Sequence, residues 1–271
     1  MRRKPSSRMR SRRPETAAAT ELAAVTAAVA GIPFMSPDQG RVVYEHVRAT
    51  RPREVLELGT AHGVGSAYLA AALEDGARLT TVDFAGAAYD PAPEAVLARA
   101  GLADRVEVVR RFSSYTWWLK EEVAGRSDAH GNVEPRFDFV YLDGAKNWTI
   151  DGLAVVLVEK LLRPGGWLLM DDLPWTYAQD PAREATDGIV HRELSERERT
   201  EPHLRAVFDL IVAQHPSFTE LKIQDEWWGW ARKAPGEPRR LTLETSRPLG
   251  ALMAGAARKA ARRVRQATRS R

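Results

Sequence analysis

The chain contains no cysteine. That excludes a disulfide framework, a thiolate metal site and a cysteine nucleophile. It also lacks an apolar run long enough to span a bilayer. Acids are missing from both ends. Residues 1–14 hold seven Lys/Arg and residues 247–271 hold eight, with no Asp or Glu in either stretch. The interval 15–246 therefore keeps 25 basic residues against 36 acidic ones, a net charge of −11, although the whole chain is formally +4. A nucleic-acid groove needs its own basic surface, so the acidic interior argues against one in the core. The basic tails remain available to an anionic surface. The basic start and Ser11-Arg12-Arg13 have some character of an export signal. Pro14, Glu15, Thr16, Thr20 and Glu21 break the apolar segment that would have to follow. The expectation is a cytoplasmic protein.

What is present is a strand–helix rhythm. Residues 15–30 have Leu22, Val25 and Val29 near one helical face, and Gly31-Ile32-Pro33 stops that helix. Ser36-Pro37-Asp38 starts another, which carries Val42, Val43, Tyr44 and Val47 and ends before Arg51-Pro52. Apolar strands are then expected at 55–58, 78–82, 106–109, 137–142 and 167–170, with helices at 66–73, 91–100, 115–124 and 150–162 between them. Arg163-Pro164-Gly165-Gly166 reads as a turn before the last of these strands. This alternation implies α/β architecture, a doubly wound and mostly parallel sheet. Beyond it, 174–195 suits a lid or loop, 201–214 a helix, and 218–223 with 227–231 an antiparallel hairpin at one edge. The organisation is a basic tail (1–14), N-terminal helices over the first strand or the site (15–52), one catalytic-type domain (53–233), and a linker with a basic amphipathic tail (234–271).

The stretch Val55-Leu56-Glu57-Leu58-Gly59-Thr60-Ala61-His62-Gly63-Val64-Gly65-Ser66 organises the rest. A buried strand feeds a glycine loop and a helix start, where an α/β sheet receives a nucleotide-like ligand. The glycine spacing is not the dinucleotide fingerprint. Glu57, just before the loop, suits a ligand with positive charge or a hydrogen bond to loop amides, and suits a pyrophosphate badly. Ser66 is placed to cap the following helix. Ligands in such sheets bind beyond the carboxyl ends of the strands. The residues ending those strands are Glu57/Gly59, Asp83, Ser113, Asp143 and Asp171/Asp172. Asp83 is placed to accept hydrogen bonds from ribose hydroxyls. Asp143, Asp171 and Asp172 would repel one another without a cation between them, and an all-oxygen set suits Mg²⁺, Ca²⁺ or Mn²⁺. Lys146, three residues after Asp143, is near enough to face the same ligand. Trp148 and Trp175 follow strand ends and are candidates to wall an acceptor. His62, His130 and His191 lie in or near loops and are alternative bases.

The order E-L-G-T-x-x-G-x-G-S, Asp83, F-D-F-V-Y-L-D-G and L-L-R-P-G-G-W-L-L-M-D-D resembles the class I S-adenosylmethionine-dependent methyltransferases. The likeness is greatest to the small-molecule O-methyltransferases of the catechol and macrolide-sugar type, over roughly residues 35–232. It implies a seven-stranded Rossmann-like sheet and S-adenosylmethionine as cofactor. By this resemblance Glu57, Gly59, Thr60, Gly63, Gly65 and Ser66 line the methionine end, Asp83 holds the ribose, and Ser113 lies near the adenine. Asp143, Asp171 and Asp172 would hold the metal of the metal-dependent members, with Lys146 and Asp143 as catalytic residues. Two departures stand out. Gly65 occupies the place of a Ser in the catechol enzymes, with Ser66 one position later, and Asn147-Trp148 replaces the residues usual after the lysine. The expected reaction is methylation of a small-molecule hydroxyl on a natural product, sugar or phenol, with a nitrogen acceptor and self-association left open.

Two other classes were weighed. Short-chain NAD(P)-dependent oxidoreductases share a G-x-x-x-G-x-G loop but need Lys four residues after a Tyr. The six tyrosines are followed there by Arg48, Ala72, Pro93, Leu119, Ala145 and Pro181. A non-enzymatic protein binding nucleic acid or a membrane through its tails is the other.

Overall fold

The computed structural model describes residues 20–182, 194–237 and 240–242. The expectations for the two basic tails, for His191 and for part of the 174–195 segment fall outside the described residues.

Seven strands form one sheet: β1 (Glu54–Leu58), β2 (Arg78–Phe84), β3 (Val106–Arg111), β4 (Phe137–Leu142), β5 (Leu162–Met170), β6 (Phe218–Gln224) and β7 (Trp228–Lys233). Their order is β3-β2-β1-β4-β5-β7-β6. The first five run parallel, and β7 pairs antiparallel with both β5 and β6. This is the expected doubly wound sheet with its edge hairpin. The order reverses between β1 and β4, and a crevice opens beyond strand carboxyl ends at such a point.

Side chains of β1 alternate between two cores, as a strand covered on both faces requires. Val55 joins α1 (Leu22–Ala28), α2 (Pro37–Thr50), α3 (Val64–Ala72) and α4 (Pro93–Arg99) on one face. Leu56 and Leu58 join α5 (Tyr115–Gly125), α6 (Trp148–Leu161) and α8 (His203–Val207) on the other. A short helix, α7 (Glu196–Thr200), precedes α8. The helix expected over 201–214 is instead α8 continued by a π turn over Phe208–Val212. Phe208 there packs on Gly229 of β7, where a Cβ would lie 2.5 Å from its ring. The Arg163–Gly166 segment is not a separate turn but lies within β5. Pairing with β4 jumps from Phe137↔Leu162 to Phe139↔Trp167, so the extra residues form a bulge.

The N-terminal helices are anchored by small and polar residues. Ser36 and Gln39 form a capping box at the start of α2. Gly40 lets α2 lie directly on the Tyr68 ring of α3, and any Cβ there would overlap that ring. The Tyr68 hydroxyl donates to Thr26 Oγ1 of α1 at 3.2 Å. Among the described residues, 127–132 and 240–242 belong to a second unit, in which Asn132 exchanges hydrogen bonds with the backbone of Leu241. No helix among the described residues is long and apolar enough to cross a membrane.

His46 of α2 lies among Phe139, Trp167 and Trp230, with ring centroids 4.6–5.7 Å away. Burial pushes its pKa down to about 4 from 6.5. Between those values the unfolded chain binds a proton that the native state refuses, so stability falls as pH falls. At pH 5 the penalty is about 1–2 kcal/mol, at 1.36 kcal/mol per pKa unit. Urea denaturation of His46→Phe is expected to show a correspondingly shallower loss of stability from pH 6.5 to pH 5.

Candidate active site

A cavity of about 360 Å³ opens at the carboxyl ends of β1, β2, β3 and β4. Its wall begins at β1. Gly59 has φ +101, and a Cβ there would overlap the carbonyl oxygen of Asp143 at the end of β4. Glycine is required for that close approach and for the left-handed backbone. Gly63 has φ +82 and N-caps α3, and a Cβ there would stand 2.9 Å from Pro93. The cap expected at Ser66 is therefore at Gly63, and Ser66 lies inside α3.

Glu57 is 1% exposed and points into the cavity wall. Ser66 and Thr81 both donate to its Oε2, Thr81 at 2.6 Å. Oε1 faces Gly65, where a Cβ would sit only 2.5 Å away. The missing side chain at 65 leaves room for the carboxyl of Glu57, while Ser66 secures it from behind. Ser66, fully buried, is not part of the cavity lining. The loop amides go to Asp83 rather than Glu57. Asp83 Oδ2 accepts from Thr60 N at 3.1 Å and Ala61 N at 2.7 Å, and Oδ1 accepts from Phe84 N at 2.6 Å. Asp83 thus holds the glycine loop while lining the cavity.

Thr60, Gly65, Ser113, Asp143 and Lys146 also line it. Sequence reasoning missed Phe34, Met35, Tyr89 and Tyr115, which line it too. Phe34 comes from the α1–α2 connection, has φ +80, is 66% exposed and stacks on His62 at 5.5 Å. An aromatic following a helix-stopping Gly31-Ile32-Pro33 was the available signal. His62 is fixed by a 2.8 Å hydrogen bond between Nδ1 and the Pro91 carbonyl and by the edge of Tyr89. His130 belongs to the second unit.

The acids at the ends of β4 and β5 are each engaged. Lys146 Nζ lies 3.3 Å from Asp143 Oδ1 and forms a close ion pair with Asp172 Oδ2. Asp171 accepts from the Tyr141 hydroxyl and from Asp172 N. Burial, and then the nearby Asp143, push the Asp171 carboxyl up from its usual range. The expected metal set of Asp143, Asp171 and Asp172 lies at two neighbouring strand ends with Lys146 and Tyr141 among its oxygens. Lys146 Nζ stands between Asp143 and Asp172, and the Tyr141 hydroxyl that donates to Asp171 also lies 3.4 Å from Asp143 Oδ2. Among the described residues no group of three or more His, Cys, Asp or Glu is disposed to hold a metal. Trp175 stands beside Lys146, its ring centroid 6.0 Å from Nζ. Trp148 opens α6, is 41% exposed and donates its backbone N–H to His203. Neither tryptophan lines the cavity.

Residues 56–173 match the family described as a methyltransferase domain. Catechol O-methyltransferase B of Danio rerio is 32% identical over 136 residues, covering 50% of this chain and 48% of that protein. A catechol O-methyltransferase of Niastella koreensis is 30% identical over 153 residues, 54% of this chain and 62% of that one. The chain thus spans about half to three-fifths of the length of these curated relatives. Among solved structures, the O-methyltransferase TomG of Streptomyces achromogenes, in complex with SAM, superposes with TM-score 0.52 at 21% identity, over 79% of this chain and 89% of that one. The SAH-bound methyltransferase PaMTH1 of Podospora anserina gives 0.54 at 19% identity, over 78% and 86%. These two share the fold.

Burial raises the Glu57 carboxyl from 4.5 to about 8. From pH 4.5 to 8 the native state keeps a proton that the unfolded chain releases. Stability of the ligand-free protein therefore falls as pH rises through that window. By pH 7 the cost is on the order of 3 kcal/mol. Glu57→Gln is expected to flatten this slope in urea denaturation between pH 5 and pH 8. An unchanged slope would refute the assignment to Glu57.

Proposed function

We propose that the segment 56–173, which matches a methyltransferase-domain family, is of the class I, S-adenosylmethionine-dependent kind, and that the protein methylates a hydroxyl of a small molecule. The observation that carries the reading is the shared cavity. Glu57, Asp83 and the glycine loop line one part of it, and Asp143 with Lys146 lines another.

When bound, the cofactor would supply an electrophilic methyl group on a sulfonium for an acceptor oxygen. Oε1 of Glu57 is available to the cofactor's ammonium. Asp83 is available to the ribose hydroxyls without releasing the loop, since each carboxylate oxygen accepts more than one hydrogen bond. Ser113 serves the adenine end. Lys146 is positioned to take the proton of the acceptor hydroxyl, and Asp143 and Asp172 to hold the ammonium so formed. Holding both reactants in one cavity supplies the alignment that a direct displacement needs. No step is assigned to a metal.

Calorimetric titration with S-adenosylhomocysteine is expected to show micromolar binding, weakened at least tenfold in Asp83→Ala. Absence of binding to the wild-type protein would overturn the reading. With the labelled methyl donor and a panel of phenols and sugars, Lys146→Met is expected to lose about 100-fold or more in rate while still binding S-adenosylhomocysteine, the range for loss of a general base.

A further inference from the structure

The loop Asp143–Asn147 carries Lys146 in a left-handed conformation, φ +60, which a lysine adopts only when its surroundings impose it. The constraint comes from behind the loop. Asp151 of α6 is fully buried. Its Oδ2 accepts the backbone N–H of Asn147 at 2.7 Å, and its Oδ1 accepts the hydroxyl of Tyr115. That same hydroxyl accepts the backbone N–H of Ala145 at 3.1 Å. The amides on either side of Lys146 are thus both tied to one carboxylate, one directly and one through a phenol. The Tyr115 ring also packs on Gly144, where a Cβ would lie 2.5 Å from its Cε1 and hydroxyl oxygen. A fully buried carboxyl bonded at both oxygens is a stiff anchor, since losing a donor leaves a buried acceptor short of a partner.

We propose that Asp151 is a positioning residue which, through Tyr115 and the amides of Ala145 and Asn147, fixes Lys146 against Asp143 and Asp172. Tyr115 lines the cofactor cavity as well. The network therefore joins the wall that receives the cofactor to the loop that presents the proton acceptor. Its catalytic meaning rests on the methyltransferase reading above; its geometry does not.

The test reads Lys146 directly and needs no acceptor. Trace acetylation with acetic anhydride, followed by peptide mass spectrometry, gives the rate at each lysine of the ligand-free full-length protein from pH 7 to pH 10. Lys233 is the internal reference: it is 7% exposed and bonded to Glu159 and the Leu162 carbonyl. In Asp151→Asn, and separately in Tyr115→Phe, the Lys146 rate is expected to rise at least fivefold with an altered pH profile, and the Lys233 rate to stay put. Tyr115→Phe removes one oxygen and keeps the ring, so it holds the test open should Asp151→Asn not fold. An unchanged Lys146 rate in the folded variants, or equal rises at Lys146 and Lys233, overturns the proposal. Failure of the wild-type protein to bind S-adenosylhomocysteine would sink the methyltransferase reading instead, and the labelling result would still decide the anchoring role.

Discussion

The contact on which the site depends is the approach of β1 to β4 at Gly59. No side chain separates Gly59 from the Asp143 carbonyl, so the two strand ends lie against each other where the sheet order reverses. Leu58 accepts the backbone N–H of Asp143 at 2.9 Å, and Leu142 that of Asp171 at 3.0 Å, which carries the ladder one residue past the strands. Because the ladder continues, Glu57, Asp143 and Asp171 are held at fixed heights across three neighbouring strands. A larger residue at 59 would part the strands and displace the carboxylates together.

Around that contact the carboxylates divide their labour by environment. Asp83 is bonded to backbone amides and fixes a loop. Glu57 is bonded by hydroxyls in a dry wall, which favours its neutral form until a cation arrives. Asp143 and Asp172 hold an ammonium, and Asp171 faces a phenol. Similar side chains at neighbouring strand ends thus carry different chemistry because of what lies within hydrogen-bond reach.

Much of this was legible in the chain. The strand segments and their parallel order follow from short apolar runs separated by helical spacing, and β4 falls at the residues expected. The cavity-lining positions Glu57, Gly59, Asp83 and Ser113 follow from strand-end location alone. What failed depended on side-chain direction. Ser66 read as a cap because hydroxyls favour helix starts, but the loop is one turn tighter and the hydroxyl faces Glu57. The three aspartates read as a metal cluster from strand-end position, and the ammonium and phenol that stand among them were not legible. Phe34, Tyr89 and Tyr115 were missed because no local pattern distinguishes an aromatic that borders a cavity from one that fills a core. Asp151, buried in the first turn of a helix, carries no local pattern that marks it.

The bulge that opens β5 separates two parts of the sheet with different tolerance for added length. Extra residues are absorbed between Leu162 and Trp167, and by Trp167 the pairing with β4 is regular again up to Met170. Length changes at that end would be taken up before they reach the carboxyl end of the strand. The opening of β5 is therefore a place where the chain can lengthen while the chemistry-bearing rim, some four residues along the strand, keeps an unaltered frame.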